Sequence, residues 1–196
     1  MRATVAASLL FASSEAVAAC PGPVAVGEAY TLFRSVDGLA NRVERTGPNE
    51  VTVREMRDGK TIATMRYLHG VWLLEQRNVS SDEVTVRNTF TPRPNGLPPE
   101  GAVVQTDHTA RYIRVTGTKV FEAVNVVKNQ GSRMVKLGAC AYEARIVNVG
   151  SFQNGELRTL YQKRYVPELG YAVSSAKLDR NGKVVHGVEF DRIAAE

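Results

Sequence analysis

The sequence predicts an all-β, or strongly β-dominated, protein: an antiparallel meander curled into an open or closed barrel, with few or no helices. Three observations carry this prediction. Short runs that alternate apolar and polar residues follow one another from Gly27 to Ile193. Asp-Gly and Asn-Gly pairs separate several of these runs, and such pairs supply the left-handed residues that tight hairpin turns need. No run beyond residue 19 repeats its apolar residues with a helical period.

The elements follow in order. Ala29 to Val36 and Ala40 to Thr46 flank Asp37-Gly38, and Glu50 to Arg57 and Thr61 to Leu68 flank Asp58-Gly59. His69-Gly70 leads into Val71 to Val79, which carries the only tryptophan, Trp72. Ser81 and Asp82 then introduce Val84 to Phe90, completing a first meander of about six strands. Residues 91–101, TPRPNGLPPEG, hold four prolines and two glycines and are excluded from a central strand or a helix interior. They read as a surface crossover between two halves of one sheet, or as a lid over a cavity mouth.

The second half resumes with Ala110 to Thr116 and Lys119 to Lys128, turning at Thr116-Gly117. Asn129 to Ser132 is polar and turn-like, with a short strand, Arg133 to Leu137, after it. From Gly138 the alternation places Cys140, Tyr142, Ala144 and Ile146 on one face. Asn154-Gly155 is a hairpin signal, and Pro167 ends the strand that follows it. Gly170 opens Tyr171 to Leu178, and Asn181-Gly182 turns the chain into a last strand, Val184 to Ile193. The total is about eleven or twelve strands, and a short helix at Pro21 to Gly27 or around Ser132 is compatible with the pattern.

The first 19 residues read as an export signal. Arg2 gives a minimal positive start, Val5 to Ala12 a short apolar core, and Ser13, Ser14 and Glu15 lead to the small-residue run Ala16-Val17-Ala18-Ala19. The apolar stretch is far shorter than the ~20 residues that span a bilayer, and no later run reaches that length. Residues 20–196 then form a single β-rich domain, expected in the periplasm.

Cys20 admits two fates. Cleavage after Ala18 or Ala19 leaves it free to pair with Cys140, the only other cysteine. Alternatively, Val17-Ala18-Ala19-Cys20 is similar to a lipobox, in which Cys20 would carry a lipid anchor. Glu15 and Pro21 weigh against the lipobox. Two cysteines in an exported chain favour the disulfide.

Composition narrows the function classes. With 25 Lys and Arg against 20 Asp and Glu, the net charge is +5, but the cations are spread among acidic residues. That distribution gives a solvated surface and not a nucleic-acid footprint, which needs clustering. No Gly-x-Ser-x-Gly elbow, His-x-x-x-His or Cys-x-x-Cys spacing, EF-hand loop or phosphate-binding glycine loop occurs. His69, His108 and His186 are scattered, and Asp107-His108 reads as a solvated turn. The sequence therefore offers no catalytic, metal or cofactor residues, and the expectation is a protein that is not an enzyme.

Aromatic residues are the softer signal. Tyr142, Tyr161, Tyr165 and Tyr171 gather around one stretch. They pair across strands in the core, or Tyr161, Tyr165 and Tyr171 with Arg158 and Arg164 line the mouth of a site for a lipid headgroup or glycan. Trp72 and Leu73 would then line its apolar floor.

Several of these segments together carry a resemblance. Gly27-Glu28-x-Tyr30-Thr31-x-x-Arg34 opens the series of hairpins, Cys140-x-Tyr142 follows, and Tyr165-Val166-Pro167-Glu168-Leu169-Gly170-Tyr171 is the most specific segment. A closing Gly182-Lys183-Val184-Val185-x-x-Val188-Glu189-Phe190 completes the pattern. The chain resembles uncharacterised proteobacterial periplasmic proteins with an open half-barrel like that of lipoprotein carrier and acceptor proteins of the LolA/LolB type. The resemblance implies a concave apolar face able to shelter acyl chains. The partner expected is a lipid or lipoprotein, or another envelope protein. The alternative expectation is a structural or protein–protein interaction module of the periplasm.

Overall fold

The computed structural model of the chain describes residues 20–79 and 85–196. The expected export signal, and the Ser81-Asp82 turn with the first residue of the strand after it, lie outside the described residues. Every regular element described is a strand, and they form one thirteen-stranded antiparallel sheet. Its strands are β1 (Ala29–Arg34), β2 (Leu39–Arg45), β3 (Glu50–Arg57), β4 (Lys60–Leu68), β5 (Trp72–Asn78), β6 (Thr85–Thr91) and β7 (Val103–Arg114). They continue with β8 (Gly117–Leu137), β9 (Cys140–Gln153), β10 (Glu156–Val166), β11 (Tyr171–Leu178), β12 (Val184–Glu189) and β13 (Arg192–Ala195).

From β1 to β12 each strand pairs with the next in sequence, and β13 pairs with β1 at the far edge. The two end strands do not pair with each other, so the sheet is an open meander and not a closed barrel. Tight turns set this order. Asp58 and Gly59 have φ of 51° and 74°, and Asn154 and Gly155 have 53° and 76°. Two successive left-handed residues give the turn whose twist matches that of the flanking strands.

The sheet coils until its first and last strands face each other. Tyr30, Leu32, Val43 and Val53 from β1–β3 are buried in one cluster with Tyr142 and Ala144 of β9 and Val173 of β11. Leu169, in the turn between β10 and β11, joins them, and its carbonyl accepts a buried hydrogen bond of 3.1 Å from the Tyr30 hydroxyl. Residues 20–28 lie against this core. Tyr142 donates to the Pro21 carbonyl at 2.9 Å, and the Val24 amide donates to the Glu168 carbonyl at 3.1 Å. Cys20 and Cys140 form a disulfide with Cα atoms 5.5 Å apart.

Four features differ from the pattern expected of the sequence. The polar stretch at Asn129–Ser132 is not a turn: β8 runs through it for 21 residues, with a register shift against β9. Gly131, at φ 102°, takes up the extra residue, and its amide donates to Asn129 Oδ1 at 3.0 Å. Opposite this bulge the buried face of β9 changes phase, so Val147 is buried where alternation from Ala144 pointed to Ile146. Asp107 and His108 belong to β7, which begins at Val103 and not at Ala110. Finally, the last strand is two: the chain bends at Phe190 and Asp191, whose amides donate to Val173 of β11 and Phe33 of β1. No helix occurs among the described residues, at Pro21–Gly27 or elsewhere.

Residues 92–102 connect β6 to β7 as a packed crossover. Pro94 and Pro98 are buried, the Pro98 carbonyl accepts from Asn129 at 3.0 Å, and Leu97 packs on the cluster around Trp72. Arg93 pairs with Glu50 at 2.7 Å, tying the segment to β3.

Candidate functional site

Coiling leaves a concavity on the inner face of the middle strands, a cleft of about 740 Å³. Alternation along each strand decides what lines it. β6 contributes Val86, Asn88 and Phe90; β7 contributes His108, Ala110 and Tyr112; β8 contributes Phe121, Ala123 and Asn125. These are cross-strand neighbours: Asn88 lies opposite Ala110, Phe90 opposite His108, and Ala110 opposite Phe121. The floor is built by Tyr67, Val71, Trp72 and Leu73, and the far wall by Val149, Thr159, Tyr161 and Lys163.

The wall is aromatic and ordered. Trp72 meets Phe90 edge-to-face at 5.4 Å, and Phe90 stacks on His108 at 5.1 Å. Toward the rim Tyr112 and Phe121 form a further edge-to-face pair at 5.3 Å, both part-exposed at 38% and 41%. Contacts of this kind are worth about 0.5–1.5 kcal/mol each beyond the area they bury.

Polar groups are few and directional. The Asn88 amide donates to the Leu73 carbonyl at 2.9 Å, which leaves its Oδ1 to accept from His108 Nε2 at 2.8 Å. His108 therefore carries its proton on Nε2, and burial pushes its pKa below the usual histidine value, so Nδ1 is a bare lone pair. Lys163 donates to the Val71 carbonyl at 3.1 Å, with its ammonium 5.2 Å from the centre of the Tyr67 ring. Burial pushes the Lys163 pKa down to about 8. Its surface is only partly covered, because it lines a cleft open to water, but protein packs densely around the ammonium and that packing sets the desolvation. Among the described residues Trp72 Nε1 and His108 Nδ1 are buried without a hydrogen-bond partner, and so is Thr106 Oγ1, whose cross-strand neighbour Asn125 lines the cleft.

The residues singled out from sequence separate in space. Trp72 and Leu73 are in the floor, as the pattern suggested, and Tyr161 is in the wall. Tyr165 packs beside the cleft with the Trp72 cluster. Tyr171 is buried in the main core, edge-to-face with Tyr67 at 5.4 Å. Arg164, next to Lys163 and so on the opposite face of β10, pairs with Glu189 of β12. Lys163, His108, Phe90, Tyr112 and Phe121 were not marked by the sequence reading. The alternation Thr106, His108, Ala110, Tyr112 against Asp107, Thr109, Arg111 would have placed His108 on the inner face.

Among the described residues no group of three or more His, Cys, Asp or Glu is arranged to hold a metal ion, and no helix is long and apolar enough to cross a membrane. Fold and site together define an open, all-β antiparallel meander with an aromatic cleft. Comparison with protein-family models, with curated proteins and with solved structures gave no match to this chain.

Proposed function

We propose that this protein is a non-enzymatic, exported envelope protein that holds an amphiphilic, lipid-like ligand in the cleft of its half-barrel. The observation that carries the reading is the cleft itself, about 740 Å³ with an aromatic wall running from Trp72 to the Tyr112–Phe121 rim. Ligand sites of this size are concave and mostly apolar, with a small number of placed polar groups. The Cys20–Cys140 disulfide is consistent with an oxidising, exported compartment, and we place the protein in the periplasm. A lipid thioether on Cys20 and this disulfide exclude each other. The partner proposed with this reading is a lipid or lipoprotein.

The test uses the only tryptophan, Trp72, which lines the cleft and is 2% exposed. Protein stripped of lipid is titrated with a non-ionic single-chain amphiphile below its micelle concentration, following Trp72 emission. Saturable change at one ligand per chain supports the proposal; a flat titration, with no displacement of an apolar fluorescent probe, sinks it.

A second reading has its own observation. β12 pairs only with β11, and Val184 and Val185 are 56% and 63% exposed along it. An open strand of this kind is a template for an added strand, the mode by which a protein–protein interaction module of the envelope would work.

A further inference from the structure

We infer that the ligand of this cleft carries a carboxylate, seated on Lys163 at the base, with its hydrocarbon chain running along the aromatic wall toward Tyr112 and Phe121. The inference deepens the proposed function and rests on it. Lys163 is a half-buried cation lining the cleft, with one protein acceptor, the Val71 carbonyl, and one weaker contact, the face of Tyr67. No carboxylate pairs with it among the described residues. An ammonium has three N–H groups, so two remain to be satisfied from the cleft side. A half-buried cation that faces a cleft and lacks an acidic partner is a ready seat for an anion.

The neighbouring polar atoms specify the anion further. Trp72, the residue after Val71, lines the same cleft, and its buried Nε1–H lacks an acceptor. Lys163 is the donor that reaches the cleft and calls for an acceptor group, because Trp72 Nε1 is enclosed by protein. The arginines that line the cleft, Arg114 and Arg158, sit on β7 and β10 away from Lys163, Arg114 beside the β7–β8 turn and Arg158 beside the β9–β10 turn. A phosphate favours arginine forks. A single ammonium away from any arginine fork suits a carboxylate. Above it, Phe90, Ala110, Val86 and Val149 offer only hydrocarbon to the chain.

The experiment titrates the disulfide-bonded protein with dodecanoate, dodecanol and dodecyl phosphate below their micelle concentrations, following Trp72 emission. Dodecanoate is expected to bind about tenfold or more tightly than dodecanol, the ratio expected of one charge-assisted contact. Lys163→Met is expected to remove that advantage, so that acid and alcohol bind alike. Comparison of acid and alcohol on the unaltered protein stands even if the variant does not fold. Equal binding of acid and alcohol overturns the headgroup inference but leaves an amphiphile site. Dodecyl phosphate binding tighter than dodecanoate overturns the carboxylate assignment in favour of a phosphate. Failure of all three to bind overturns the proposed function as well.

Discussion

Asp191 accepts two hydrogen bonds from Ser35, one from its backbone N–H and one from its hydroxyl, each 2.9 Å long. The pair fixes the corner at which the final segment leaves the edge of β11 and crosses to β1. The two Ser35 donors hold the Asp191 carboxyl below its usual pKa. A depressed carboxyl contributes stability that is present above its unfolded pKa of about 4 and lost as pH falls through the folded value. Asp191→Asn should therefore lower the melting temperature at neutral pH, with the gap to wild type closing at pH values well below about 4. A gap independent of pH would mean that the charge plays no part.

The disulfide closes a loop of 120 positions between Cys20 and Cys140. Constraint of a loop that long stabilises by about 4–5 kcal/mol in the chain-entropy account. A Cys20→Ser, Cys140→Ser double variant should show a urea midpoint lowered by the equivalent amount, and reduction of wild type should reproduce it. Coincident unfolding curves with and without reductant would contradict this.

Gly70 should not tolerate a side chain. A Cβ there would lie 2.2 Å from the Gly170 carbonyl oxygen and 2.9 Å from Tyr165 Cε2, at a φ of +63°. The neighbour is backbone, so neither turn has room to retreat. Gly70→Ala is expected to cost on the order of 3 kcal/mol, read as a lower melting temperature, whereas Gly59→Ala, with open space around it, should cost much less.

Lys163 should make stability rise with alkalinity. Its folded pKa, about 8, lies below the ordinary lysine value of 10.5. The penalty for its burial is therefore fully present below pH 8 and is relieved as pH rises toward the unfolded value, because the unfolded chain binds the extra proton. The melting temperature of wild type, compared with Lys163→Met, should gain between about pH 8 and pH 10. Identical pH profiles for the two proteins would show that the ammonium is fully hydrated in the cleft.

Turn chemistry is why so much of the fold was readable. Asp58-Gly59 and Asn154-Gly155 are local instructions, and the strands around them have the pairing their turns dictate. Tyr171–Leu178 matched its expected limits because Pro167 and Gly170 bound it on one side. Asn129–Ser132 misled because its polarity is used inside a strand: the Asn129 side chain satisfies Pro98 and Gly131, contacts that exist only once the crossover has packed. His108 misled for a related reason, since an imidazole beside Asp107 reads as polar until Phe90 is known to stack on it. For the cleft, Trp72, Leu73 and Tyr161 were legible as residues that would face inward. Lys163 was not, because its role depends on Val71 and Tyr67, 92 and 96 positions away.

The final segment bends at Phe190 and Asp191 and serves two edges at once, pairing with β11 before the bend and with β1 after it. β1 thus gains its second neighbour from residues at the opposite end of the chain, with Tyr30 opposite Ala195. In a chain made or threaded from its N-terminus, the first strand stays half-paired until the last one arrives. Contacts this remote in sequence slow folding, and an unpaired edge held open meanwhile is a site for wrong pairing. The protein's most exposed moment is therefore the interval before its own tail comes through.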